Sequence, residues 1–162
     1  MSSALMSSAF GDFDFFMGDW QVRHRRLKER LAGCDEWEMF GGTCSTRKIL
    51  GGHGNMDDNV LELPGGTYRA ATLRTCDAKT GRWSIWWLDA RDPTRLDVPM
   101  VGRFEGGVGT FHAEHVFAGK PVRVRFLWTR TDGATPRWEQ AFSPDGGKSW
   151  EINWTMDFAH VP

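Results

Sequence analysis

The sequence predicts an all-β protein: an up-and-down antiparallel β-barrel of about ten strands, with a short helical turn near its N-terminus. Three observations lead there. Glycine and proline cut the chain into segments of about 6–14 residues, short for helices and suited to strands. Several of those segments alternate apolar and polar residues with period 2, as a strand with one packed face does. The resulting meander of about nine or ten strands is too long to stay flat, and closing it removes the exposed edges.

Taken in order, Met1 to Ala9 is rich in Ser and Ala and reads as a loose tail, residues 1–9. It has no basic n-region and only Leu5 and Met6 as apolar centre, so it is no secretory signal, and a cytoplasmic protein is expected. Phe10 to Met17 is apolar and short, suited to one helical or 3₁₀ turn that plugs an end of a sheet structure. Trp20 to Ala32 holds no Gly or Pro and reads two ways. Trp20, His24, Leu27 and Leu31 form a helical stripe, whereas a strand places Trp20, Val22, His24 and Arg26 on one face.

Turns then follow at the Gly-Gly pairs 41–42, 51–52, 65–66, 106–107 and 146–147, at Asp132-Gly133 and at Ala118-Gly119-Lys120-Pro121. Between them, Trp83, Ile85 and Trp87 share a face, as do Val122, Val124, Phe126 and Trp128. Near the C-terminus Ile152, Trp154, Met156 and Phe158 alternate with polar residues. Ser143-Pro-Asp-Gly-Gly-Lys-Ser-Trp150 matches an Asp-box hairpin: Asp145 accepts backbone N–H bonds and Trp150 packs under the loop. Cys76 to Trp83 reads as a second turn of that kind.

A chain of 162 residues suits one domain, read here as residues 10–160, and buries enough surface to need no staples. Its formal charge of -1 gives no bulk attraction to nucleic acid. No apolar run approaches the ~18 residues of a spanning helix, so no membrane partner is expected. The three cysteines, Cys34, Cys44 and Cys76, form no framework and no C-x-x-C, and Cys44 and Cys76 read as packing residues.

Against that frame stand Phe13-Asp-Phe-Phe-Met-Gly-Asp-Trp20, Trp20 to Leu27, Ile49-Leu-Gly-Gly52 with Asn55 to Asn59, and Thr80 to Asp89. They continue in Val101-Gly-Arg-Phe104, Phe126-Leu-Trp128 and Arg137 to Ser143 through Trp154. Together these resemble a bacterial family of lipocalin-like barrels of the calycin superfamily, a family of unknown function. The resemblance covers about residues 10 to 160. It implies a barrel closed at one end by Trp20, and a strand for Trp20 to Leu31. It implies no reaction. Nitrobindin-like relatives carry a Gly-x-Trp-x-Gly-x-Gly motif, whereas Gln21-Val22-Arg23 follow Trp20 here, so no haem and no other cofactor is expected.

A barrel of this size with mixed inward residues keeps a cavity. In the strand reading His24, Arg26, Arg74, Trp87, His115, Gln140 and Asn153 are the polar or aromatic residues facing it. The leading expectation is a binding barrel for a small apolar or aromatic ligand with a polar or anionic handle. The alternative is an enzyme on the same barrel, of lyase, isomerase or hydratase type, acting on an aromatic or acyl molecule. His24 or His115 would then carry the proton, Arg74 would hold a carboxylate, and Gln140 or Asn153 would bond the substrate. A filled barrel serving as an interaction module is the third reading.

No metal site is expected, because period 2 puts His112 and Glu114 on one strand face and His115 on the other. His53, Asp57 and Asp58 read as a solvated loop, and Arg23 to Arg30 as a solvated outer strand face. A minority reading turns Arg26 inward beside His24 to make an anion-binding mouth. His24 itself should sit above Trp20 and Val22 with its imidazolium disfavoured by desolvation and by Arg26. The partner is a small molecule; the oligomeric state stays open, a homodimer included.

Overall fold

The computed structural model describes residues 9–162. The expected loose tail, residues 1–9, lies outside the described residues except for Ala9. Ten antiparallel strands form a closed barrel in which each pairs with its chain neighbours and the last returns to the first. They are β1 (Gly18–Leu27), β2 (Trp37–Ile49), β3 (Gly54–Leu63), β4 (Gly66–Cys76), β5 (Trp83–Asp89), β6 (Met100–Glu105), β7 (Val108–Phe117), β8 (Lys120–Thr129), β9 (Arg137–Ser143) and β10 (Glu151–His160). Short 3₁₀ turns at Asp14–Phe16 and Leu50–Gly52 complete it. Closure leaves no sheet edge, the outcome the strand count requires.

The helical stripe at Trp20 loses to the strand. Trp20 pairs across to Cys44 on one side and His160 on the other, and Trp20, Val22 and His24 are all buried. Two flanking strands satisfy this segment's backbone groups, and tertiary pairing of that kind overrides a local helical pattern.

One end of the barrel is plugged by aromatic rings. The 3₁₀ turn drops Phe13 and Phe16 into the barrel, each only 1% exposed. Phe16 lies 4.6 Å from the Trp128 ring and 4.9 Å from Phe158, and Phe13 lies 4.8 Å from Trp83. The Trp20 indole N–H donates to the Phe16 carbonyl at 3.0 Å, which locks the turn to β1.

The faces of β5 and β8 fall as the period predicts: Trp83, Ile85, Val122, Val124 and Trp128 are buried. β10 departs. Its register shifts between Ile152 and Trp154, so Asn153 is an extra residue opposite β9. The bulge turns Asn153 into the interior and leaves Ile152, expected on the packed face, 41% exposed.

Asp145 builds the β9–β10 hairpin. Its carboxylate accepts from the Ser143 hydroxyl at 2.8 Å, from the Ser149 N–H at 2.9 Å, and from the Ser149 hydroxyl. Those bonds, led by the Ser149 side chain, depress its carboxyl to about 2. Asp77 organises the β4–β5 turn similarly, accepting from the Lys79 N–H at 2.9 Å and the Thr80 hydroxyl at 3.2 Å. Asp145→Ala is expected to lower the melting temperature while leaving the fold and any ligand affinity intact. The wild-type advantage is complete above pH ~4 and disappears as the pH falls through about 2, because only the carboxylate accepts these bonds. Melting curves of both proteins at pH 6 and pH 2 check this.

Candidate ligand cavity

Above the plug the barrel encloses a cavity of about 310 Å³. That is the lower end of the 300–1,000 Å³ typical of small-molecule sites. Its floor includes Phe16, Ile85, Trp128 and Phe158. Arg91, Asp97 and Val98 of the β5–β6 connection line it, and those two strands share only three register pairs, Trp83 to Ile85 against Gly102 to Met100. The connection between them is tied back to β5 by the Asp97 N–H donating to the Trp87 carbonyl at 3.1 Å.

The two sides of the cavity differ in chemistry. β8, β9 and β10 supply Val124, Phe126, Trp138, Trp154 and Met156, an apolar and aromatic wall. Trp138 and Trp154 meet edge to face at 5.2 Å, and Trp87 meets Trp154 at 6.1 Å. Opposite, β3 and β4 supply Asp57, Asn59, Thr72 and Arg74, all buried. Asp57 is the hub. Its carboxylate accepts from the Thr72 N–H at 3.1 Å, from the Asn59 amide, and from Arg74 Nη2 at 2.7 Å. Arg74 Nη1 donates to the Asn55 side-chain Oδ1 at 2.9 Å, and its guanidinium stands 5.2 and 5.3 Å from the Phe13 and Phe16 rings. The expected solvated loop around Asp57 is therefore incorrect for that residue. Asp57 sits in β3 at 2% exposure, while Asp58 points out to Arg69. The every-other-residue spacing of Asn55, Asp57 and Asn59 was the sequence signal for this polar wall.

The mouth is cationic. Arg26, Arg30 and Arg91 line it together with Asp89 and Asp97. Arg26 lies 5.3 Å from the Trp154 ring and 5.4 Å from Phe40, with Glu38 at 3.9 Å. Arg30 is held over Phe117 and Phe142 at 5.5 and 5.8 Å. Desolvation, helped by Arg26, lowers the Arg30 guanidinium. The basic run is thus no simple outer face: Arg23 and Arg25 are exposed, but Arg26 and Arg30 turn to the cavity. Sequence reasoning missed Arg30 because it follows the strand, where period 2 no longer tells which way a side chain turns.

Of the residues expected at a site, Arg26, Arg74, Trp87, His115 and Gln140 line this one cavity. His24 and Asn153 do not. They stand behind the wall, each bonded to a lining residue. Gln140 Nε2 donates to the Asn153 side-chain oxygen at 2.9 Å, and Trp154 Nε1 donates to His24 Nδ1 at 3.1 Å. An indole N–H only donates, so His24 is neutral with its proton on Nε2. It stacks on Phe40 at 4.6 Å, and Gly42 leaves its room: a Cβ there would run into the Val60 carbonyl and meet His24 Nε2 at 3.2 Å. Burial first, and Arg26 second, drives its pKa down to about 3.

His115 lines the cavity, and its buried Nε2 has no hydrogen-bond partner among the described residues. His112 and Glu114 lie on the outer face, the latter bonded to Arg123. Partial desolvation raises the Asp97 carboxyl, and the His115 ring near it opposes that rise. Cys44 and Cys76 are poor nucleophiles. Burial pushes the Cys44 thiol up, and Cys76 up to about 11.

No family model matches the chain, and no curated protein matches it by sequence. Among solved structures it is similar to the S-type phycobiliprotein lyase CPES from Guillardia theta. The two align with a TM-score of 0.60 at 8% identity, over 93% of this chain and 90% of that one. At that identity the likeness speaks for the fold: a lipocalin-like barrel. No described helix is long and apolar enough to cross a membrane.

Proposed function

We propose that this barrel binds a small, largely aromatic molecule carrying an anionic group, with the rings against Trp87, Trp138 and Trp154 and the anion at Arg26 and Arg30. One observation carries the reading: a cavity with an aromatic wall is capped by two guanidiniums, of which Arg26 has only a long ion pair to Glu38 at 3.9 Å and Arg30 has no ion pair among the described residues. Arg74 is less suited to hold a carboxylate, because Asp57 already offsets its charge at 2.7 Å. The resemblance of the motifs quoted above to a bacterial lipocalin-like family, and a cytoplasmic location for a chain with three free thiols, belong to the same proposal.

Two dyes of one scaffold test it. 8-Anilinonaphthalene-1-sulfonate carries a sulfonate that N-phenyl-1-naphthylamine lacks. The folded protein is expected to bind the sulfonate at least tenfold more tightly, with quenching of tryptophan fluorescence. Arg26→Gln with Arg30→Gln should remove most of that preference, about 1.4 kcal/mol or more. Equal affinity for both dyes, or a preference that survives the double variant, rejects the anionic handle.

His115 favours a second reading, acid–base catalysis on the bound molecule. His115 is the imidazole on the cavity wall, and an imidazole is the side chain best suited to acid–base work near neutral pH. The neighbouring lyase is an enzyme on this kind of barrel, which supports the reading. Native mass spectrometry would show a retained molecule, and its conversion by wild type but not by His115→Gln protein would establish turnover.

A further inference from the structure

Two side-chain oxygens of the polar wall stay open to the cavity. Asn59 lies on the inward face of β3 and lines the cavity. Its Nδ2 donates to the Asp57 carboxylate and to the Ala70 carbonyl at 3.3 Å. Both partners only accept, so the amide fits one way, with its nitrogen toward them and Oδ1 left over. Thr72 stands diagonally across from it on β4, its backbone N–H donating to Asp57. Neither Asn59 Oδ1 nor the Thr72 hydroxyl has a hydrogen-bond partner among the described residues, and neither is enclosed by protein. Both side chains point into the barrel, so the surface they keep belongs to the cavity.

From this we infer that the ligand carries an uncharged hydrogen-bond donor, an N–H or O–H group, on its flank, where Asn59 and Thr72 receive it. The inference rests on the proposed binding function and narrows its ligand class. Asn59 sets the sense, because an amide oxygen accepts and never donates, whereas the Thr72 hydroxyl does either. The charge balance keeps the donor neutral. Arg74 already offsets Asp57 at 2.7 Å, so an ammonium would leave a net positive charge on a buried cluster. The register gives the position. Ala70, opposite Asn59, pairs with Asp89 at the mouth; Thr72 pairs with Trp87, and Arg74 with Ile85 deeper in. At about 3.3 Å per residue, Thr72 lies roughly 7 Å along β4 from Ala70. The donor therefore sits partway along the bound molecule, level with Trp87, and at neither tip. An N–H in the edge of a fused aromatic system meets both demands: rings for the tryptophans and a donor for the opposite wall.

9H-Carbazole-2-carboxylate, 9H-fluorene-2-carboxylate and dibenzofuran-3-carboxylate are the probes. They share a planar fused-ring shape and an end carboxylate, and differ only at the flank, which is N–H, CH₂ or an acceptor oxygen. Wild-type protein is expected to bind the carbazole acid about tenfold more tightly than the fluorene acid, the worth of one buried hydrogen bond. The dibenzofuran acid should bind no more tightly than the fluorene acid. The Asn59 side-chain amide signals in a ¹H–¹⁵N spectrum should shift further with the carbazole acid than with the fluorene acid. Thr72→Val with Asn59→Leu removes both oxygens at nearly constant volume, and there the carbazole and fluorene acids should bind alike; should that variant not fold, the wild-type amide shift decides. Equal affinities in wild type or a preference for the dibenzofuran acid overturns the inference while the proposed function stands. So does a carbazole preference that survives the double variant, or one that leaves the Asn59 signals where the fluorene acid puts them. Failure of all three acids to bind at up to millimolar concentration removes the proposed function, and this inference with it.

Discussion

Arg74→Met is expected to destabilise the barrel by about 3–5 kcal/mol, because it strands a buried carboxylate. Asp57 is 2% exposed and would keep only the Asn59 amide and the Thr72 N–H as partners. Domains of this kind hold about 5–15 kcal/mol in total, so the variant sits at the margin of folding. The second change Asp57→Asn should recover most of the loss, since a neutral amide needs no counter-charge. Denaturant unfolding of wild type, single and double variants checks this. A single variant within 1 kcal/mol of wild type would show that the pair is not desolvated as its geometry implies.

Acid should unfold the protein through His24. In the unfolded chain His24 takes up a proton below about pH 6.5, whereas the folded ring resists it down to about 3. The unfolded state therefore binds more protons throughout that window, and stability rises with pH there. Each unit below 6.5 removes about 1.4 kcal/mol, or roughly 3 kcal/mol by pH 4.5. Protonation of Nδ1 would also cost the bond from the Trp154 indole. His24→Phe keeps the stack on Phe40 but leaves that indole N–H unpaired, which costs about 1–3 kcal/mol at neutral pH. The variant should thus be weaker at pH 7 and lose less than wild type between pH 7 and 4.5. Urea titrations at the two pH values measure the crossing. Parallel pH slopes would show that His24 protonates freely in the folded state.

These two residues also show how far the sequence could be read. His24 was legible as an inward residue with a disfavoured imidazolium once Trp20 and Val22 set the parity of its strand. Its place behind the cavity wall was not, because that depends on Trp154, 130 residues away, swinging its indole between the ring and the cavity. Arg74 was legible as inward. Its partner was read as part of a solvated loop, because His53 and the glycines before it look like one, and only the β3–β4 register brings Asp57 opposite Thr72 and within reach of Arg74.

The sequence by itself determined the class, the strand count, the closure and most of the inward faces. Those features depend on local rules: glycine and proline end segments, period 2 assigns faces, and an edge-free sheet of that many strands must close. The tertiary structure alone decided what the inward residues do together. It broke parity with the bulge at Asn153, it brought Arg30 round the first turn to the mouth, and it neutralised Arg74 with Asp57 at the inner end. Such outcomes depend on which strands face one another across the barrel and on how far each side chain reaches. Neither is contained in the spacing of residues along a single strand, so the cavity's division into an aromatic wall, a polar wall and a cationic mouth emerges only when the ten strands close.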